Sequence, residues 1–364
     1  MPSITRRRLA VGIAGSVLCL SLVPSAAAAD PSVTVVATGL NNPRGVAVGV
    51  NGGVFVAETG AGKVLAIWRG AVSTFTSGLP VLTSPEGEST GVVNVALRAD
   101  GTVVAAIGGG PQAEDRRFDT VIRLSPRSGR LLADIQAYRN AHPDTTDLDQ
   151  PPNPTDSNAY GIATLGGSRT LVADAAGNEL DLIGPAGRIQ TVAKFPNAVV
   201  STSHLPPGFL PPSVTELPAE AVPTSVAVGP DGYWYVGELK GFPFTPGASR
   251  IWRIAPTARN VVCDPAATSG PCTIFADGLT AITGLDFGPD GSLYVVEMIR
   301  GGLVNLFLGG DTTGALIRIK NGARTELASG QLHAAGDVGV ARNGTIYVTN
   351  QSVSPTDGQV LAIR

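Results

Sequence analysis

The chain has 364 residues, 43% hydrophobic and 15% charged, with 26 basic against 29 acidic side chains, three cysteines and three histidines. With no basic run beyond the N-terminal segment, the composition excludes nucleic acid, whose phosphates demand clustered Lys and Arg. Beyond residue 29 no stretch is long and apolar enough to cross a bilayer as a helix.

The N-terminus starts with Arg6, Arg7 and Arg8, runs apolar over 9–23 and ends in four alanines, Ala26 to Ala29. A basic start, a short apolar middle and a small-residue site predict an export signal over 1–29, cleaved after Ala29. Thr5 to Leu9 also resembles a twin-arginine signal, so the export route stays open. Removing the segment takes three arginines and no acids, leaving 23 basic against 29 acidic residues, a net charge of −6. The expected product, residues 30–364, is an exported monomer of one domain, extracellular, periplasmic or held at the cell wall.

Six times a ten-residue phrase returns: GVNGGVFVAE (49–58), RADGTVVAAI (98–107), LGGSRTLVAD (165–174), GPDGYWYVGE (229–238), GPDGSLYVVE (288–297) and ARNGTIYVTN (341–350). Self-similarity at this period marks a repeat architecture, each unit burying its apolar face against its neighbours. A short small-residue strand precedes each phrase, at 45–48, 92–96, 161–163, 225–228, 284–287 and 338–340. A third strand follows, as at 63–68, 121–124, 250–254 and 315–319, then a fourth after another glycine turn, as at 72–75. The fold class is therefore all-β, a six-bladed β-propeller of four-stranded antiparallel blades. The last unit stops at a third strand, 359–364, and the segment 33–37 is a strand without a blade. The N-terminal strand is expected to close the sixth blade and remove an open edge.

Because strands alternate in direction, the longer insertions 108–119, 239–249, 298–314 and 351–358 share one face with the connections 80–89, 139–158 and 196–222. Binding sites on rigid scaffolds are built from such loops. The other face has short turns, apart from an excursion bounded by Cys263 and Cys272, an even pair read as a disulfide.

Glu58, Asp174, Glu238, Glu297 and Asn350 close five phrases at the end of the second strand, and Ile107 closes the other. A ring of such oxygens would suit Ca²⁺ or another divalent metal. The repetition favours a structural role, each acid accepting backbone N–H groups within its own blade. His142, His204 and His333 fall in the same set of connections, without an acidic orienting partner at fixed spacing. The acids of 139–160 lack calcium-loop spacing and read as a solvated acidic loop. Arg44 enters the first inner strand as an anion-binding side chain, or as a partner of Glu58. Tyr160, Phe242 and Phe244 offer aromatic surface at the mouth. The chain has no nucleophile elbow, P-loop or H-E-x-x-H motif.

ATGLNNPRGVAVG (37–49), DSNAYGIATLGGSRTLVADAAGNELDLI (156–183) and VPTSVAVGPDGYWYVGELKGFPFTPGASRIWRI (222–254) resemble the ScyD/ScyE family, over essentially the whole of 30–364. The resemblance implies an exported, NHL-like six-bladed propeller and brings no reaction and no catalytic residue. Lactonases of the gluconolactonase type, a fainter likeness, hold a metal on Glu, Asn and Asp, which Glu58, Asn158, Glu297 and Asn350 imitate. Quinone-dependent sugar dehydrogenases need a histidine base with arginine and Ca²⁺, for which His333 and Arg44 stand. Both are analogies of fold. The expectation is a non-catalytic exported binding or scaffold propeller, taking a small molecule, glycan or protein on its loop face through Arg44, Asn158, Tyr160, Phe242, Phe244 and His333. The alternative is a metal-assisted hydrolase or lyase of the lactonase type acting in the central channel.

Overall fold

Each phrase forms a tight turn and the second strand of a blade: Val54–Glu58, Val103–Ile107, Arg169–Asp174, Trp234–Glu238, Leu293–Glu297 and Ile346–Asn350. The computed structural model describes residues 31–364, apart from 86 and 127, so the expected export segment lies outside the described residues. The turns have a chemical cause. In five of them an Asn or Asp side chain accepts the N–H two residues on, Asn51 from Gly53, Asp100 from Thr102, Asp231 from Tyr233, Asp290 from Ser292 and Asn343 from Thr345. The glycine between takes a positive φ, +85° at Gly52 and +80° at Gly232, a conformation costly for a side chain with a Cβ.

The first blade is Pro43–Val48, Val54–Glu58, Lys63–Trp68 and Ala71–Ser77, each strand antiparallel to the last, and the next four follow the same order. In the sixth, Val338–Val340, Ile346–Asn350 and Gly358–Ile363 are completed by Val33–Leu40, with Val33 opposite Ile363 and Leu40 opposite Gly358. The predicted closure is therefore present, and the N-terminal strand joins the two ends of the ring. Apolar packing lies between blades, as where Leu171, Leu180 and Val192 of the third meet Val226, Trp234 and Trp252 of the fourth.

At the axis the inner strands alternate. Gly45, Asn94, Gly161, Ser225, Gly284 and Asp337 occupy equivalent positions, Gly45 within a register shift of its blade and the next four directly after one. A Cβ on Gly45 would lie 2.5 Å from the Cα of Asn94, on Gly161 2.8 Å from that of Ser225, and on Gly284 2.8 Å from that of Asp337. Glycine in every second blade lets neighbouring backbones touch, giving six blades a threefold interior.

The long connections carry structure that periodicity did not reveal. Helix Ile135–Ala141 runs into the connection 139–158, capped by Asp134, whose carboxylate accepts the N–H of Ala137. Helix Val304–Leu308 and the hairpin Ala198–Ser201 with Glu216–Ala219 lie inside two others. The acidic loop is not wholly solvated, since Asp144 is buried and accepts from Thr146 and Asn178.

Candidate functional site

On the loop-rich face the connections enclose a cleft of about 560 Å³ beside the axis. Its polar end is built on inner strands: Arg44 from the first blade, Ser89 from the second, Tyr160 from the third and Thr224 from the fourth. Its apolar wall is Leu239, Met298, Leu303, Leu306 and Phe307, supplied by the insertions after the second strands of blades four and five.

Arg44 is the centre of the polar end. Its guanidinium, 10% exposed, lies 2.8 Å from Glu88 Oε1, and it donates to the Ser89 carbonyl at 3.3 Å and to the Tyr160 hydroxyl at 3.4 Å. Its Nε has no hydrogen-bond partner among the described residues. Burial opposes the charge, but the Tyr160 hydroxyl and the Glu88 carboxylate outweigh it, so its pKa is raised and it is a fixed cation. The backbone is held too, since the Arg44 carbonyl accepts the Thr349 hydroxyl at 2.6 Å.

Arg44, Asn158 and Tyr160 thus meet in one cleft. Phe242 and Phe244 do not line it; they reach it through a chain of aromatic contacts, Phe242 to Phe244 at 6.0 Å between ring centroids and Phe244 to Phe307 at 5.9 Å. His333 is exposed outside the cleft, and its backbone N–H, not its ring, is engaged. Arg44 pairs with Glu88 rather than Glu58, which binds Lys63 at 3.1 Å.

The phrase-closing residues do not converge. Glu58 accepts the N–H of Asn41, Asp174 that of Asn158, Glu297 that of Thr280 and Asn350 that of His333, at 2.7 to 3.0 Å. Each donor lies sixteen or seventeen residues upstream, so the same staple pins the entry of the inner strand to its own blade. Glu238 departs from the pattern, accepting from Trp252 Nε1 at 2.6 Å and pairing with Lys240. Asp174 also meets the buried Arg139, which bridges to Glu179.

Four acids outside any sequence motif complete the picture. Glu88 comes from a connection with no periodic signal. Asp286 and Asp337 line a separate axial cavity of about 240 Å³, where Asp286 accepts the Val340 N–H and Asp337 that of Val46, each tying one blade to the next. Burial raises both, Asp286 to about 6 and Asp337 to about 7. Asp119 lines a polar cleft that shares Asn158 with the first, and burial raises it to about 8 against the pull of the Gly110 N–H. Their signal, an acid in or beside a strand with no repeat counterpart, is visible only once the blades are aligned.

No protein-family description and no curated protein matches the sequence. Solved structures do match along nearly the whole chain. A putative oxidoreductase (glucose dehydrogenase) from Thermus thermophilus is 21% identical with a TM-score of 0.56, covering 92% of this chain and 100% of that one. Virginiamycin B lyase from Staphylococcus aureus is 15% identical at 0.52, covering 91% and 99%. The PQQ-bound aldose sugar dehydrogenase from Streptomyces coelicolor is 14% identical at 0.53, covering 93% and 99%.

The chain shares their six-bladed propeller fold. These neighbours are named as enzymes, which overturns the expectation of a non-catalytic binding or scaffold propeller. That expectation rested on the lack of a linear motif. A propeller assembles its site from strands far apart in sequence, so such a motif is not required.

The side chains matched from the sequence to a lactonase metal set and to a quinone set are engaged elsewhere or lie apart. Glu58, Glu297 and Asn350 each spend an oxygen on a backbone N–H of their own blade, and Asn158 Oδ1 accepts from Gly109 at 3.0 Å. Among the described residues no group of three His, Cys, Asp or Glu side chains is arranged to hold a metal ion. His333 and Arg44 do not share a cavity. The lactonase set and the quinone set therefore do not fit the residues present.

Proposed function

We propose that the protein is an exported hydrolase or lyase acting on a small, partly apolar molecule in the cleft over Arg44. The observation that carries this reading is the guanidinium itself, buried at the polar end of an apolar cleft, with Tyr160 and Glu88 in contact and its Nε unspent among the described residues. A substrate would lay its apolar part on Leu239, Met298 and Phe307 and bring a carbonyl or carboxylate oxygen to Arg44, which stabilises charge developing there. Glu88, with its side chain 46% exposed, accepts a proton from water or from a carbon next to that carbonyl, and the Tyr160 hydroxyl returns one to the leaving group. The resemblance to the ScyD/ScyE family supports export of the propeller, and N-terminal sequencing of exported protein should begin at Asp30.

Activity toward a panel of aryl esters, lactones and β-eliminating esters tests the reading. Arg44→Gln should lower kcat/KM by roughly 10²-fold, and Tyr160→Phe by a similar factor, with the melting curve retained. Equal activity in Arg44→Gln and the parent protein would rule it out.

A further inference from the structure

On the face opposite the long loops, blades two and three part into a cleft of about 290 Å³ lined by Arg98, Arg123 and Arg130. Arg123 and Arg130 lie directly opposite each other in register, on the strands Thr120–Ser125 and Ser128–Asp134. Like charges so placed repel and destabilise a sheet. Among the described residues none of the three arginines forms an ion pair. Arg98 donates to the Ser168 carbonyl at 3.1 Å, while its Nε is buried without a partner among the described residues. The carboxylate that Arg98 and Arg123 both influence is Asp100, already engaged by the Thr102 N–H at 2.9 Å.

The cleft also has fixed walls. Gly187 has φ +78°, and a Cβ there would lie 2.2 Å from the Leu132 carbonyl oxygen. The third blade's turn therefore rests directly on the outer strand of the second, which sets the cleft's width. A chain with more acids than bases has gathered three guanidiniums in one place, at a cost in repulsion that no ion pair among the described residues offsets.

We propose that this cleft binds a tetrahedral oxyanion, phosphate or sulfate, either free or carried on a polymer. Guanidinium forks match such oxygens in pairs, and one anion between Arg123 and Arg130 turns repulsion into two attractions.

Melting of the full exported chain at low ionic strength, where such contacts are least screened, tests this. Millimolar sodium sulfate or phosphate should raise Tm, and the double variant Arg123→Gln, Arg130→Gln should lose that rise while melting above the parent when no anion is added. Arg116→Gln, an exposed arginine elsewhere, should behave as the parent. If the double variant fails to fold, Arg98→Gln supplies the same comparison. Dextran sulfate binding at least tenfold tighter than sodium sulfate per sulfate group would identify a polymer as the source, and equal affinity a free anion; both support the site. No anion-dependent rise in the parent, or a rise that survives in the variants, overturns it.

Discussion

Lys240 Nζ lies 2.9 Å from Glu238 Oε2, both side chains fully buried, and Leu239 between them forms part of the cleft wall. The pair joins the apolar wall to the fourth blade, since Leu239 N–H donates to the Val222 carbonyl and Lys240 N–H to that of Ala221. Removing one member of a buried pair leaves the other charge uncompensated, a loss of about 3–5 kcal/mol. Lys240→Met is therefore expected to lower the urea midpoint by that equivalent. A change within a few tenths of a kcal/mol would show that Trp252 Nε1 alone satisfies Glu238.

The axial glycines should be intolerant of a single methyl group. In Gly45→Ala the new Cβ meets the backbone Cα of Asn94, which cannot rotate away, so a loss of about 1–3 kcal/mol is expected from overpacking. At Gly339 a Cβ would come no nearer than 3.1 Å, to a Val48 methyl, and Gly339→Ala should cost less. Denaturant midpoints of the two variants, compared side by side, check this order.

Stability should depend on pH through the axial carboxyls. Asp337 is raised from its ordinary 3.8 to about 7 and Asp286 to about 6, chiefly by burial. The folded chain thus holds these protons more tightly than the unfolded chain. Their contribution is fully present below pH 3.8 and is lost as pH rises toward 6 for Asp286 and 7 for Asp337. Unfolding free energies of the parent and of Asp337→Asn between about pH 4 and 8 isolate the effect. The parent should lose stability relative to the variant across this window, and parallel curves would count against it.

Much of the fold was legible because the repeat rests on local chemistry. An Asn or Asp before glycine writes the turn, small residues write the inner strand, and a stray N-terminal strand writes the closure. The site was legible in part. Arg44 could be picked out as a cation entering the first inner strand and Tyr160 as an aromatic at the mouth, but Glu88 sits in an aperiodic connection and meets Arg44 across forty-four positions. The terminal acids of the phrases drew attention to a metal because they repeat. They repeat because in four blades the residue at this position staples the entry of the inner strand, and a function-specific group has no reason to recur from blade to blade. His333 misled for a related reason, since being on the correct face says nothing of where a ring points.

The disulfide gives the last test. Cys263 and Cys272 are bonded, nine positions apart, as their spacing in a turn-rich stretch predicted, but the loop they close does more than decorate one blade. Val261–Val262 pairs in parallel with the outer strand Ile189–Lys194 of the third blade, and the Cys263 N–H donates to the Lys194 carbonyl at 2.9 Å. The bridge thus fixes a strap from blade four across the edge of blade three. Closing a loop of this length contributes about 2–3 kcal/mol through the unfolded chain. The double variant Cys263→Ala, Cys272→Ala should lose that much in urea unfolding under oxidising conditions. It should also show faster hydrogen exchange at position 263 and at Asn260, whose N–H groups bond to blade three, while the activity proposed for the Arg44 cleft is unchanged. Unchanged exchange there would mean that strand pairing holds the strap without the bridge.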